Sequence, residues 1–485
     1  MTEKIDVLVV GAGISGIGAG YHLQNKCPDA NFVILEGRDK IGGTWDLFKY
    51  PGIRSDSDMY TLGYNFKPWK EQEAIADAPS ILKYLGETVE EFNLKDKIRF
   101  GKYVKKANWS STSNSWTVDI EDKKSGDMSQ ISCNFIFMCS GYYSYKEGYT
   151  PKFEGIEDFN GDVIHPQKWD ENFDYSGKKI VVIGSGATAV TIVPEMAKKA
   201  EHVTMLQRSP TYVVAAPEKD KLANSLRDYL PLKLAYWIIR WRNILRQQYY
   251  FRLCKKYPKG VKNAIIREVK KRLGNDFDVK THFTPNYNPW DQRMCLVPDG
   301  DLFEQIKNGK ASVVTDHIKN ITETGILLNS GEELKADVII TATGLNLEML
   351  STVDFMVDNS SVDISKTVTY KGMMYSGIPN LASTFGYTNA SWTLGADLTS
   401  EYVCRIINHM KKNNYNVVCP QSKVQIETDP DYLNLTSGYI RRSLNIFPQQ
   451  GKKAPWRNNQ NFLKDIFQIR YGRIDDGEIS FSRNI

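Results

Sequence analysis

A glycine-rich turn between a strand and a helix occurs twice in this chain, and the repetition constrains the fold more than any other feature. In the first copy an apolar run, residues 5–10, leads into GAGISG, with Gly11, Gly13 and Gly16. Helical spacing continues to Leu23. A second apolar run, residues 31–35, then ends at Glu36, 25 residues after Gly11. Glycines alone would say little, but strand, glycines, helix, strand and terminal acid in this order predict a dinucleotide-binding βαβ unit. Gly11 permits the tight turn, Gly13 lets a pyrophosphate approach the backbone, and Gly16 lets helix and strand pack closely. The pyrophosphate is expected on the free N–H groups at the helix start near Ser15, and Glu36 can accept hydrogen bonds from a ribose diol.

The second copy begins with the strand 180–183 and GSGATA, where Gly184, Gly186 and Ala189 take the fingerprint positions around Ser185, Ala187 and Thr188. Its second strand, 202–206, is followed by Gln207 and Arg208, and Arg208 stands 24 residues after Gly184. No acid occupies the place of Glu36. An acid there would repel a 2′-phosphate, whereas Arg208 can form charge-assisted bonds to one. The first unit therefore reads as a site for FAD or NAD and the second as a site for NADP. A solvated strand-end arginine is the plain alternative for Arg208.

Two further strands, 135–140 and 337–342, run into Gly141 and into Thr343-Gly344. Each would close one nucleotide fold and hand the chain to the other. The fold class expected is α/β, with two nested Rossmann-like dinucleotide-binding domains and a helical insert. Residues 1–145 and 346–485 would form the FAD-binding domain and residues 146–210 and 290–345 the NADP-binding domain, with 211–289 as the insert. Facing dinucleotide sites imply electron or hydride transfer in a flavoprotein oxidoreductase. Disulfide reductases share this layout, but residues 42–58 contain no Cys-x4-Cys pair.

A length of 485 residues exceeds what one hydrophobic core usually serves. A net charge of +5 is too small to argue for nucleic acid. Residues 233–272 hold thirteen Lys or Arg against Glu268 alone, so the rest of the chain sums to −7. The seven cysteines are scattered, with no Cys-x-x-Cys, which suggests reduced thiols, a cytoplasmic protein and no metal site. Residues 1–4 lead straight into a strand without a targeting segment, and no apolar run is long enough to cross a bilayer.

FNGDVIHPQKWD, residues 159–170, matches Phe-x-Gly-x3-His-x3-Trp followed by Pro or Asp. With GGTWDLFKYPGIRSDSD (42–58), YNPWDQRMCLVP (287–298) and GYTNASWTL (386–394), the chain closely resembles the Baeyer–Villiger monooxygenases among class B flavoprotein monooxygenases. Relatives that oxidise S or N carry Tyr then Lys or Arg where this chain has Trp169-Asp170; they are the alternative reading. The resemblance implies FAD, NADPH and O2 as co-reactants. It implies conversion of ketones to esters or lactones through a C4a-peroxyflavin, with sulfoxidation of thioethers or thioamides alongside. It implies that Arg293 is the active-site cation and Asp56 its partner. Phe159, Gly161, His165 and Trp169 would couple the two domains. Thr44, Trp45, Asp46 and Leu47 would lie near the flavin, Val104 by the adenine, and Arg54, Ser55 and Asp56 toward the nicotinamide. Many members have Lys where this chain has Gln292, so preference for NADPH would rest on Arg208. Blander readings are a surface histidine for His165, a structural ion pair for Asp56–Arg293, and a core position for Trp45.

The basic stretch 232–271 reads as helices that pack one apolar face on their own protein, or as a peripheral contact with an anionic membrane surface. Leu398, Tyr402, Ile406, Ile407 and Met410 have helical spacing and suit core packing.

Overall fold

The computed structural model describes residues 2–429 and 436–483. Its first sheet is centred on β1 (Glu3–Val10). Helix α1 (Ile14–Lys26) leads from it to β2 (Phe32–Leu35), and the long β3 (Met128–Met138) lies on the other side of β1. β2 and β3 both run parallel to β1. A parallel strand is buried on both faces, which explains the unbroken apolar run. Val7 and Val9 join a core with Ile17 and Leu23 of α1, whereas Leu8 and Val10 face a separate core that holds Trp109 and Trp116.

The chain leaves this sheet through β4 (Tyr143–Gly148). It builds a second, five-stranded parallel sheet with β5 (Asp162–Ile164) at an edge and β6 (Lys179–Ile183) at its centre. Helix α2 (Ala187–Met196) and β7 (His202–Gln207) follow. Helices α3 (Lys221–Tyr229), α4 (Leu232–Lys256) and α5 (Pro258–Leu273) come next. β8 (Ala311–Thr315) and β9 (Val338–Thr341) complete the sheet in the order β8-β7-β6-β9-β5. The chain then returns through β10 (Leu345–Leu347), which pairs antiparallel with β4. The two crossings are thus joined side by side. Helix α6 (Trp392–Asn413) then closes the first core against α1, with Leu398, Tyr402, Ile406 and Met410 buried as their spacing predicts. A short α7 (Gly438–Arg442) follows.

The polar stretch 159–170 owes its composition to its place. Residues 162–164 form an edge strand whose outward side chains are wet. The basic insert belongs to neither core alone. Ala223, Tyr236, Ile239 and Ile244 are buried in the first core, while Val269, Leu273, Val279 and Phe283 are buried in the second. Its apolar faces pack on its own protein, and Leu234, Trp237, Leu245 and Tyr249 stay exposed on the outside. Among the described residues no helix is long and apolar enough to cross a membrane.

Candidate active site

Both fingerprints are built the same way. Gly11 and Gly184 have φ of +104° and +133°. A Cβ on Gly11 would lie 2.7 Å from the Cys139 carbonyl oxygen, and one on Gly184 would lie 2.3 Å from that of Ala342. The strands β3 and β9 thus end against the turns, as their small terminal residues predict. Helices α1 and α2 start at Gly13 and Gly186 with no side-chain cap, leaving their first N–H groups free. Above Gly186 the space is open to beyond 4 Å.

These turns line opposite parts of one cavity of ≈ 1330 Å³. Gly11, Gly13, Ser15 and Glu36 line it on the side of the first sheet. Gly184, Ser185, Gly186, Ala187, Thr188 and Arg208 line it on the side of the second. Glu36 is buried, and its carboxylate accepts from the N–H groups of Ala12 (2.7 Å) and Arg38 (2.9 Å). Burial raises its pKa, against which these bonds work. Arg208 is exposed at the edge. Val104 lies on the wall beside a bulge in its strand, and Trp45 is both wall and part of the first core's margin.

Four residues of the fingerprints and motifs lie behind the wall, Gly16 in the packing role expected of it. Gly16 packs under the first turn, where a Cβ would fall 1.8 Å from the Gly11 oxygen. Ala189 is fully buried in the second core. The Gln207 amide donates to the His282 carbonyl (2.8 Å) and Thr315 Oγ1 (2.9 Å). The Asp46 carboxylate is taken by Arg38 at 2.6 Å and Lys49 at 3.4 Å.

The segment after Gly42-Gly43 crosses to the second domain. Phe48 and Tyr50 are buried in that domain's core, and Arg54 pairs with Asp301 at 2.6 Å. Thr44, Leu47, Ser55 and Asp56 therefore reach the cavity between the two turns. There Asp56 Oδ2 meets Arg293 Nη2 at 2.7 Å. The carboxylate holds the guanidinium more firmly charged than usual, against the partial desolvation of a side chain that stays about a third exposed. Trp290, three residues earlier, adopts φ of +67°, a conformation uncommon for a bulky residue and most often seen at functional turns.

Sequence reasoning missed the tyrosines around this pair. Tyr142 and Tyr143 line the cavity, their hydroxyls 3.0 Å apart, and Tyr439 comes from α7. Burial raises all three pKa values, so the hydroxyls stay protonated. Tyr142 stacks on Trp392 at 5.3 Å, and the Trp392 indole donates to Ser15 Oγ at 2.7 Å. The signal was available as GYYSY directly after a strand that ends at a nucleotide turn.

Phe159, Gly161, His165 and Trp169 do not line the cavity. Phe159 and Trp169 are buried in the second domain, and Gly161 lies where a Cβ would meet the Asp337 oxygen at 2.3 Å. His165 lies at the crossings. Its Nδ1 accepts from the Gln167 N–H at 3.1 Å, so Nε2 carries the proton and donates to the Gly344 oxygen at 3.2 Å. The same ring lies close against Gly148, where a Cβ would be 1.9 Å from Cε1. It therefore touches both linking segments, and its burial lowers its pKa.

Residues 4–381 match the family described as flavin-binding monooxygenase-like. The chain is 52% identical over 484 residues to the FAD-containing monooxygenase EthA of Mycobacterium tuberculosis, covering 100% of this chain and 99% of that protein. It is 48% identical over 485 residues to the probable FAD-binding monooxygenase AlmA of Acinetobacter sp, covering 100% and 97%. Among solved structures, an oxidised steroid monooxygenase bound to NADP shares the fold with a TM-score of 0.80 at 21% identity, covering 99% of this chain and 100% of that one.

Proposed function

Since this chain belongs to the flavin-binding monooxygenase-like family, and is thereby a flavin-dependent monooxygenase, we propose that it is a Baeyer–Villiger enzyme that uses NADPH and O2 to turn ketones into esters or lactones. FAD fits the first turn and NADP the second. Each helix start offers uncapped N–H groups to a pyrophosphate, Glu36 suits a ribose diol, and Arg208 suits a 2′-phosphate. A bound flavin, reduced by NADPH, would supply activated oxygen.

The observation that carries the reading is the Asp56–Arg293 pair on the wall between the two turns. Oxygen insertion into a ketone builds negative charge on the attacking oxygen and then on the former carbonyl oxygen. Arg293 offers a fixed cation there, held by Asp56 and half-buried beside Tyr142, Tyr143 and Tyr439. Preorganised donors of this kind contribute about 3 kcal/mol of transition-state stabilisation. His165, touching both linking segments, would pass movement in one domain to the other.

Product identification tests the reading, with purified holoprotein, NADPH, isotopically labelled O2 and a panel of ketones and thioethers. An ester carrying one labelled oxygen atom is expected. A protein that oxidises thioethers readily and leaves every ketone untouched would instead be a heteroatom monooxygenase.

A further inference from the structure

Helix α4 grips the active-site pair at both ends. Asp58, two residues after Asp56, accepts hydrogen bonds from Asn243 Nδ2 at 2.9 Å and Gln247 Nε2 at 3.1 Å. One turn earlier, Arg240 is buried and donates to the carbonyls of Tyr60 (2.8 Å) and Gly63 (2.6 Å), while the Tyr236 hydroxyl donates to Tyr64 O at 2.9 Å. At the far end, Lys255 Nζ donates to Trp290 O and to Asp291 Oδ1, both at 3.1 Å. Asp291 stands two residues before Arg293. The Phe251 ring meets Trp290 edge-on at 5.7 Å, bracing the turn that contains the positive φ.

The covalent path from Asp56 to Arg293 runs through the rest of the first domain's leading part, the first part of the second domain and the whole insert, whereas their side chains meet directly in one ion pair. An unbroken helix is far stiffer than that path. Asn243 and Lys255 lie 12 residues apart, about 18 Å of α-helix. We propose that α4 is a strut that sets the separation of Asp56 and Arg293, with Asn243 and Lys255 as positioning residues at its two ends. The role rests on the reading of Arg293 as the cation that serves the reaction. It gives the helical insert a task in the chemistry although no residue of α4 itself lines the cavity.

The test uses holoprotein and two readouts. The first is product formed per NADPH consumed. The second needs no turnover: the labelling rate of Cys295 by a thiol reagent, mapped by peptide mass spectrometry. Cys295 is buried two residues after Arg293, and all seven cysteines are buried, so Cys133 and Cys419, which lie away from the cavity, serve as internal references. Lys255→Met is expected to leave FAD content and NADPH oxidation within about twofold, to lower product per NADPH about three- to tenfold, and to raise Cys295 labelling by a similar factor. Lys255→Arg should restore both. Arg246→Gly lies on the exposed side between the grips and touches neither, yet should reproduce the Lys255→Met pattern more weakly, because glycine softens the rod. Lys270→Gly, an exposed position on α5, should change neither readout.

Unchanged Cys295 labelling and coupling in both Lys255→Met and Arg246→Gly would overturn the strut. Equal effects from Lys270→Gly would do the same, since they would mean general softening. Arg293→Ala is run in parallel. If that variant still forms full product, the role of Arg293 falls, and the Cys295 labelling alone decides whether α4 holds this turn in place.

Discussion

Gly148→Ala is the sharpest perturbation the structure offers, because it adds a single methyl group where the His165 ring already lies. The new Cβ would sit 1.9 Å from Cε1, 2.3 Å from Nε2 and 2.6 Å from Nδ1. Ordinary carbon contacts are about 3.5–4.0 Å, so the ring must withdraw by roughly 1.5 Å or more. Its bond to Gly344 O already spans 3.2 Å and useful reach ends near 3.5 Å, so either the bond breaks or β10 follows the ring. Both outcomes pull β4 and β10 out of the arrangement in which Leu345 pairs with Gly148. Losing the bond costs about 1 kcal/mol, and overpacking adds roughly 1–3 kcal/mol, for a total near 2–4 kcal/mol.

Thermal unfolding of the holoprotein should therefore fall by a few degrees, and product per NADPH should drop while FAD stays bound. The decisive measurement is a double-mutant cycle with His165→Ala. Once the ring is gone the methyl group meets nothing, so Gly148→Ala should cost almost nothing in the His165→Ala background. Additive losses would refute the reasoning, because they would mean that Gly148 matters for some reason other than the ring it faces.

Arg293→Ala should keep FAD and still oxidise NADPH, yet lose product formation about a hundredfold, measured by gas chromatography of the ester. Arg208→Ala should raise KM for NADPH about 10- to 100-fold, the range expected for a charge-assisted bond, while KM for NADH stays unchanged; steady-state kinetics with each cofactor checks this. Acidification tests His165 a second way. Its pKa in the fold lies below the ordinary 6.5 because burial disfavours the cation. The contribution of the neutral ring is therefore complete above about pH 6.5 and is lost as pH falls through the lower folded value. Protonation would turn Nδ1 into a donor facing the Gln167 N–H. Unfolding temperature and coupling should decline on titration from about pH 7 to 5, and His165→Asn should remove that component of the decline.

How much of this was legible beforehand followed the range of the physics. The fingerprints were readable because a positive-φ glycine, a free helix start and a strand-end acid all act within some 25 residues, and Gly11, Gly184 and Glu36 stand as the spacing predicts. The nested order was readable from strands that end in small residues, for the turns need Cys139 and Ala342 close by. Asp46 was read toward a cofactor because it belongs to the GGTWDL motif, but Arg38 claims its carboxylate from eight residues away. Gln207 follows the right strand but points into His282 and Thr315, partners that only the fold brings near. The insert was the least legible element. Its composition spoke of charge and aromatics, whereas its work is done by Asn243 and Lys255 on residues 185 and 36 positions away.

Asp56 enters the site on a segment that starts at the first nucleotide turn, and Arg293 enters on one that leads into the strand Cys295–Pro298 beside the second turn. Any rotation of one domain against the other would therefore be felt first in their 2.7 Å contact. Two sets of contacts on different elements would oppose that rotation. His165 ties β4 to β10 where the chain crosses between the domains, and α4 ties Asp58 to Asp291 on the side of the insert. A single tie leaves a hinge, but two ties on different elements leave few ways to turn without breaking one of them. If both act on the same coordinate, His165→Ala and Lys255→Met should lower product per NADPH by less together than the product of their separate effects, because either one already frees the pair. Strictly multiplicative losses would mean instead that the linkers and the strut govern different steps, with the linkers serving cofactor reduction and α4 serving the oxygen transfer.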